Sequence, residues 1–110
     1  MYELLAALVV DDVIQMVKVP ANATILYMVL SVDDLDSATS LVLDLGDGGN
    51  DDRYLLGETI GQAVGQSSAI LIDGLGYKYT TEDTIDVHVD TAPGTGVTGT
   101  LKLVCIYHCY

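Results

Sequence analysis

A chain of 110 residues has the length of one ordinary domain, and half of it is hydrophobic while only 18% is charged; that balance excludes intrinsic disorder for the bulk of the chain. Sixteen acidic residues against four basic ones leave a formal charge of −12, and because phosphate backbones are bound mainly through Lys and Arg, nucleic acid is not expected as a partner. The longest apolar runs, such as Ile25 to Leu30, fall far short of the roughly 20 residues that cross a bilayer, and the start Met-Tyr-Glu-Leu-Leu lacks the basic region of an export signal, so a soluble, unexported protein with no membrane partner is expected.

Val, Ile, Leu and Thr dominate, Phe and Trp are absent, and eleven glycines fall mostly between apolar runs, which is how short strands separated by turns are written. Glu3 to Val10 has no decisive period and reads as a strand or a turn of helix, with residues 1–9 a candidate N-terminal arm. Asp12 to Val19 reads as a strand ended by Pro20, which offers no donor to a ladder. Thr24 to Val32 is apolar on both faces, with Ile25, Tyr27 and Val29 opposing Leu26, Met28, Leu30 and Val32. A strand with two dry faces needs cover on each, supplied either by the chain's own loops or by another subunit or partner.

Asp33, Asp34 and Asp36 form an acidic turn that reads as solvated. Leu41, Leu43 and Leu45 then alternate with Val42 and Asp44, and the run breaks at Gly46-Asp47-Gly48-Gly49-Asn50-Asp51-Asp52, where a strand enters a surface loop. Carboxylates among glycines can chelate Ca²⁺, which makes Asp47, Asp51 and Asp52, with Asp44 and Asn50 beside them, a weak calcium candidate. Glu58 lies eleven residues after Asp47, the first-to-twelfth spacing of an EF-hand loop. Gly49, however, stands where a second ligand belongs, Asp52 stands where the sharp-turn glycine is required, and neither flank reads as helical. Solvated turn residues, with Arg53 pairing one acid for about 0.2–1 kcal/mol, are the preferred account, and no metal is assigned.

Gly74-Leu75-Gly76 is a turn before Tyr77-Lys78-Tyr79-Thr80. Thr84 to Asp90 shows a strict period of two, with Ile85, Val87 and Val89 on one face and Asp86, His88 and Asp90 on the other. Neighbours two apart on a strand lie about 6.6–7 Å apart, beyond a direct hydrogen bond, so His88 is expected on a wet face where an added charge costs little; a zinc site there would need Cys105, His108 or Cys109 from elsewhere. Thr100 to Tyr110 is again apolar on both faces, with Leu101, Leu103, Cys105 and Tyr107 opposing Val104 and Ile106. On an extended strand Cys105 and Cys109 are about 13 Å apart, too far for a disulfide, so two reduced thiols are expected. The outward faces of the two doubly apolar strands, Met28 and Leu30 on one and Val104 and Ile106 on the other, are the interface candidates.

About seven or eight short strands with turn signals every 8–12 residues predict an all-β fold, a single antiparallel β-sandwich of jelly-roll type spanning residues 1–110. No nucleophile elbow, phosphate-binding glycine loop or nucleotide fingerprint is present; no enzyme activity, catalytic residue or cofactor is expected.

Four phrases occur in a telling order: Asp12-Val13-Ile14-Gln15-Met16-Val17-Lys18-Val19-Pro20; Leu43-Asp44-Leu45-Gly46-Asp47-Gly48 continuing to Asp52-Arg53-Tyr54; Tyr77-Lys78-Tyr79-Thr80 followed by Asp83-Thr84-Ile85-Asp86-Val87; and Gly99-Thr100-Leu101-Lys102-Leu103. In this order and spacing, across most of residues 10–107, the chain resembles the capsid cement or decoration proteins of tailed bacteriophages. The resemblance implies a non-enzymatic virion protein, made in the bacterial cytoplasm, that sits on the capsid exterior, binds the major capsid protein and stabilises the shell. A homo-oligomer is expected, with a trimer favoured by the local three-fold positions of icosahedral shells. The alternative is a receptor- or carbohydrate-binding module of a tail or head fibre, for which Tyr54, Tyr77 and Tyr79 are the loop-proximal aromatic candidates.

Overall fold

Alternating apolar residues bounded by glycine-rich and aspartate-rich turns produce eight strands among the described residues. The computed structural model describes residues 2–4, 6–68, 71 and 74–109; Met1, Leu5 and Tyr110, which fall in the first and last predicted segments, lie outside them. The strands are β1 (Tyr2–Glu3), β2 (Val13–Val19), β3 (Ala23–Val32), β4 (Val42–Gly46), β5 (Leu55–Glu58), β6 (Gly65–Ser67), β7 (Asp83–Thr91) and β8 (Thr100–Cys109), with one 3₁₀ turn at Ile60–Gln62. They form two four-stranded antiparallel sheets, ordered β1-β8-β3-β6 and β2-β7-β4-β5. First pairs with last, second with seventh, third with sixth and fourth with fifth, so the chain is one long hairpin wrapped on itself. This is the jelly roll, and the all-β antiparallel sandwich expected from the sequence is the fold observed. No helix among the described residues is long and apolar enough to cross a membrane.

The core lies between the two sheets. Ile25, Met28, Leu30, Val32, Leu101 and Leu103 face it from one side, and Ile14, Val19, Leu43, Leu45, Ile85, Val87 and Val89 from the other. Leu35 and Leu41 close one end. The period of two in β7 and β8 is kept, but in β2 and β3 it is broken. The β3–β8 register shifts between Ile25 and Tyr27, leaving Leu26 as an extra residue, and the β2–β7 register shifts between Gln15 and Val17, leaving Met16 extra. A bulge of this kind reverses which alternate residues face inward.

The reversal corrects the predicted faces of β3. Ile25 points inward as expected, but past the bulge the inward set is Met28, Leu30 and Val32, and the outward set is Tyr27 and Val29. Met28 and Leu30, expected on an outer interface, are 0% and 1% exposed and belong to the core. Val104 and Ile106, on the unbulged β8, do face out, at 45% and 51% exposure. The carbohydrate platform is corrected too. Tyr54 and Tyr79 are buried and lost to it, and the half-buried Tyr77 lies T-shaped to Tyr79 with ring centroids 4.9 Å apart.

The bulge sets a clear stability contrast. Met28→Ala should lower the free energy of unfolding by about 2–5 kcal/mol, as core truncations do, whereas Val104→Ala should leave it within about 0.5 kcal/mol. Urea unfolding of the two variants checks this, and equal effects would mean that β3 runs without the bulge.

Candidate functional site

The outer face of the β1-β8-β3-β6 sheet carries an apolar patch. In the β3–β8 ladder Tyr27 pairs with Ile106 and Val29 with Val104, and residues directly opposite in an antiparallel pair share a face. Leu26, displaced by the bulge, extends the patch at 50% exposure. Ser31 and Lys102 bound it at one end and Thr24 and His108 at the other. Sequence alternation placed Val104 and Ile106 outward, and Leu26 outward with Met28 and Leu30, but put Tyr27 and Val29 on the inner face. The one signal was two large apolar residues in succession, which a regular strand cannot place on a single face and a bulge can.

The second sheet is built differently on its outside, because the 46–54 loop folds over it. Gly46 starts the loop: a Cβ there would lie 2.1 Å from the Asn50 carbonyl oxygen. The Asp47 carboxylate holds the loop closed. Its Oδ1 accepts from the backbone N–H groups of Gly49 and Asn50, both at 2.9 Å, and its Oδ2 accepts from Arg53 Nε at 2.6 Å and Tyr79 Oη at 2.7 Å. Tyr79 in turn meets Tyr54 Oη at 2.5 Å, and the Arg53 guanidinium lies 3.8 Å from the Tyr77 ring centroid. Arg53 does pair an acid, as expected, but the pair is not the weak exposed one foreseen, since the Asp47 side chain is 1% exposed. Burial alone would raise the Asp47 pKa; hydrogen bonds from Arg53, Tyr79 and the two loop amides outweigh it and hold the carboxyl below its usual range.

This saturation takes Asp47 out of the weak calcium candidate. The structure does not bring Asp47, Asp51 and Asp52 together as ligands: Asp47 serves the loop and Asp51 turns toward His88. The face of β7 is likewise not the plain wet face expected. Asp86 is buried and accepts from Thr84 Oγ1 at 2.6 Å, and burial raises its pKa. His88 meets neither Asp86 nor Asp90 but three carboxylates brought from elsewhere. Nδ1 lies 3.5 Å from Asp44 Oδ2 and 3.6 Å from Asp51 Oδ2, and Nε2 lies 3.3 Å from Asp11 Oδ1. Burial would lower the His88 pKa, but Asp44 and Asp11 more than offset it and the net shift is upward. A further carboxylate in place of His88 would therefore meet repulsion and would not be silent.

At one end of the sandwich Asp36, expected in a solvated turn, is instead fully buried. Its carboxylate accepts from the backbone N–H groups of Ala38, Ser40, Leu41, Gly94 and Thr95 at 2.9–3.1 Å, joining the β3–β4 connection to the β7–β8 connection. Burial opposes ionisation, and the amide hydrogen bonds overcome it and hold the carboxyl well below its usual range. Both cysteines are free thiols, and burial pushes the Cys105 pKa up to about 11. His88 lies on β7 and the two cysteines on β8, in different sheets.

Asp36 and Asp47 are expected to contribute to the acid limb of stability. Their folded pKa values lie below the ordinary 3.8, so the stability they contribute is present above that value and is lost as pH falls through the lower folded values. Unfolding free energy should decline steeply below about pH 4. Asp47→Asn, which strands Arg53 against the loop, should cost about 3–5 kcal/mol at neutral pH, and Asp36→Asn should also destabilise. Each variant should show a shallower acid limb in denaturation followed from pH 7 to pH 2; an unchanged slope would remove the two carboxylates as its cause.

No family model matches this chain, and no curated protein matches it. Two solved structures do. A chain in the capsid of Ralstonia phage GP4 is 28% identical, with a TM-score of 0.84, over 94% of this chain and 77% of that one. A chain in the capsid asymmetric unit of cyanophage Pam1 has the same TM-score of 0.84, over 99% of this chain and 80% of that one, and at 22% identity shares the fold. The wrapped two-sheet topology and the sequence likeness to the first of these support a phage capsid-related protein, consistent with a non-enzymatic structural role in the virion.

Proposed function

We propose that this chain is a cement or decoration protein that binds the outside of a phage capsid and stabilises it. The observation that carries the reading is the Leu26, Tyr27, Val29, Val104 and Ile106 patch, a contiguous apolar surface on a subunit with a formal charge of −12. An acidic exterior keeps a free subunit soluble and disfavours a seat against packaged DNA, while the patch supplies the apolar contact that a protein partner covers. The partner is the major capsid protein, a sister subunit, or both around a local three-fold axis, which favours a trimer. Binding the intact shell in preference to the disrupted one stabilises it by mass action, and symmetry multiplies a modest contact over many sites. The burial of Tyr54 and Tyr79 argues against a carbohydrate-binding module of a fibre.

Ile106→Asp tests the proposal. An ionised carboxylate stranded in a desolvated contact costs several kcal/mol, whereas on this exposed face of the free subunit it is hydrated. The variant should fold with an unchanged circular dichroism spectrum, yet fail to self-associate in light scattering or to be retained on undecorated heads in a pull-down. Unimpaired retention and self-association would overturn the proposed use of this face, and an unfolded variant would place Ile106 in the subunit core.

A further inference from the structure

We propose that Asp44, Asp51 and His88 form a binding site for a divalent first-row transition-metal ion, with Zn²⁺ the best fit. The three come from separate parts of the chain, β4, the 46–54 loop and β7, and offer one ligand atom each, all within 4.8 Å of one another. Asp44 is nearly buried, with its side chain 5% exposed, while Asp51 at 61% leaves the site open to solvent.

The imidazole at its centre distinguishes this group from an ordinary acidic surface cluster. His88 presents two nitrogens to three carboxylates, and a neutral ring carries one N–H. If Nε2–H donates to Asp11, the Nδ1 lone pair points at two carboxylate oxygens, an acceptor facing acceptors; the other tautomer turns the Nε2 lone pair on Asp11. A ring so placed is completed by a cation beside Nδ1, either a proton that makes it an imidazolium or a metal ion. The Nδ1 distances of 3.5 and 3.6 Å are long for hydrogen bonds, which centre near 2.9–3.0 Å. They are close to the roughly 3.4 Å that separates two ligands bound at about 2.1 Å to one tetrahedral ion.

Asp44 is already oriented for the task, since its Oδ1 accepts from the Gly57 N–H at 2.9 Å and its Oδ2 faces His88. Asp11, held at φ 65° beside Nε2, takes the place of the carboxylate that orients a metal-bound imidazole from behind and raises its basicity. One nitrogen and two carboxylate oxygens suit Zn²⁺ or Co²⁺ better than Ca²⁺, which wants six to eight oxygens. The fourth position is left to water.

Isothermal titration of the whole chain with Zn²⁺, and with Co²⁺ read by its visible absorption, tests the site. One equivalent should bind saturably, and the melting temperature should rise with Zn²⁺ but not with Ca²⁺ at equal ionic strength. His88→Ala and Asp51→Asn should each weaken binding at least ten-fold, and Asp51→Asn, at an exposed position, should leave the fold intact. Asp11→Asn, which keeps a residue tolerant of positive φ, should weaken binding about 10–100-fold as loss of an outer carboxylate does. Cys109→Ser and Asp52→Asn should leave it unchanged. Absence of saturable binding would overturn the proposal and leave His88 as an imidazolium among its carboxylates. Binding that survives Asp51→Asn but is lost in Cys109→Ser would place the ion at the end of β8 and overturn it equally.

Discussion

The Asp47 carboxylate is the interaction on which the outside of one sheet is organised. Removing a charge from water is costly unless every lone pair is engaged. Here the engagement is complete: two loop amides, the Arg53 guanidinium and the Tyr79 hydroxyl converge on one side chain. Because Tyr79 is itself hydrogen-bonded through its backbone to Asn22 and Ala23 at the start of β3, the carboxylate couples the 46–54 loop to the opposite sheet. With the loop fixed, Asp51 is delivered to His88 and the β7 face is covered. Gly74 completes the arrangement by close approach, since a Cβ there would lie 2.4 Å from the Tyr54 ring.

Asp36 plays the same part at one end of the sandwich with a different donor set. Five backbone amides from two connections replace the guanidinium and hydroxyl, so the charge is balanced entirely by peptide dipoles. Two buried carboxylates thus impose order on the long connections of a jelly roll, which its strands leave unspecified.

Charge and apolar surface are divided between the two sheets, though incompletely, since Val13 and Leu56 are exposed on the second. The β2-β7-β4-β5 sheet bears Asp44, Asp86 and His88 under an acidic loop, and the β1-β8-β3-β6 sheet bears the apolar patch around Ile106. A subunit so divided can seat one face against protein while the other repels its neighbours and polyanions.

The sequence by itself determined the class of fold. Strands at regular spacing, Gly-rich and Asp-rich turns and the strict alternation of Ile85, Val87 and Val89 specify an antiparallel sandwich, because a period of two places every second residue in the core wherever the ladder is regular. It also determined the outward placing of Val104 and Ile106 and the free state of Cys105 and Cys109. Only the tertiary structure decided the faces of β2 and β3, where one extra residue reverses the alternation and sends Met28 and Leu30 inward while Tyr27 turns out. Only it decided the fates of the carboxylates. Asp36, Asp44, Asp47 and Asp51 look alike in the sequence as acids near turns. Nearby amides and Arg53 supply part of each donor set, but burial is completed by partners 32 to 59 residues distant, Tyr79 for Asp47 and Thr95 for Asp36 among them, which no local pattern encodes.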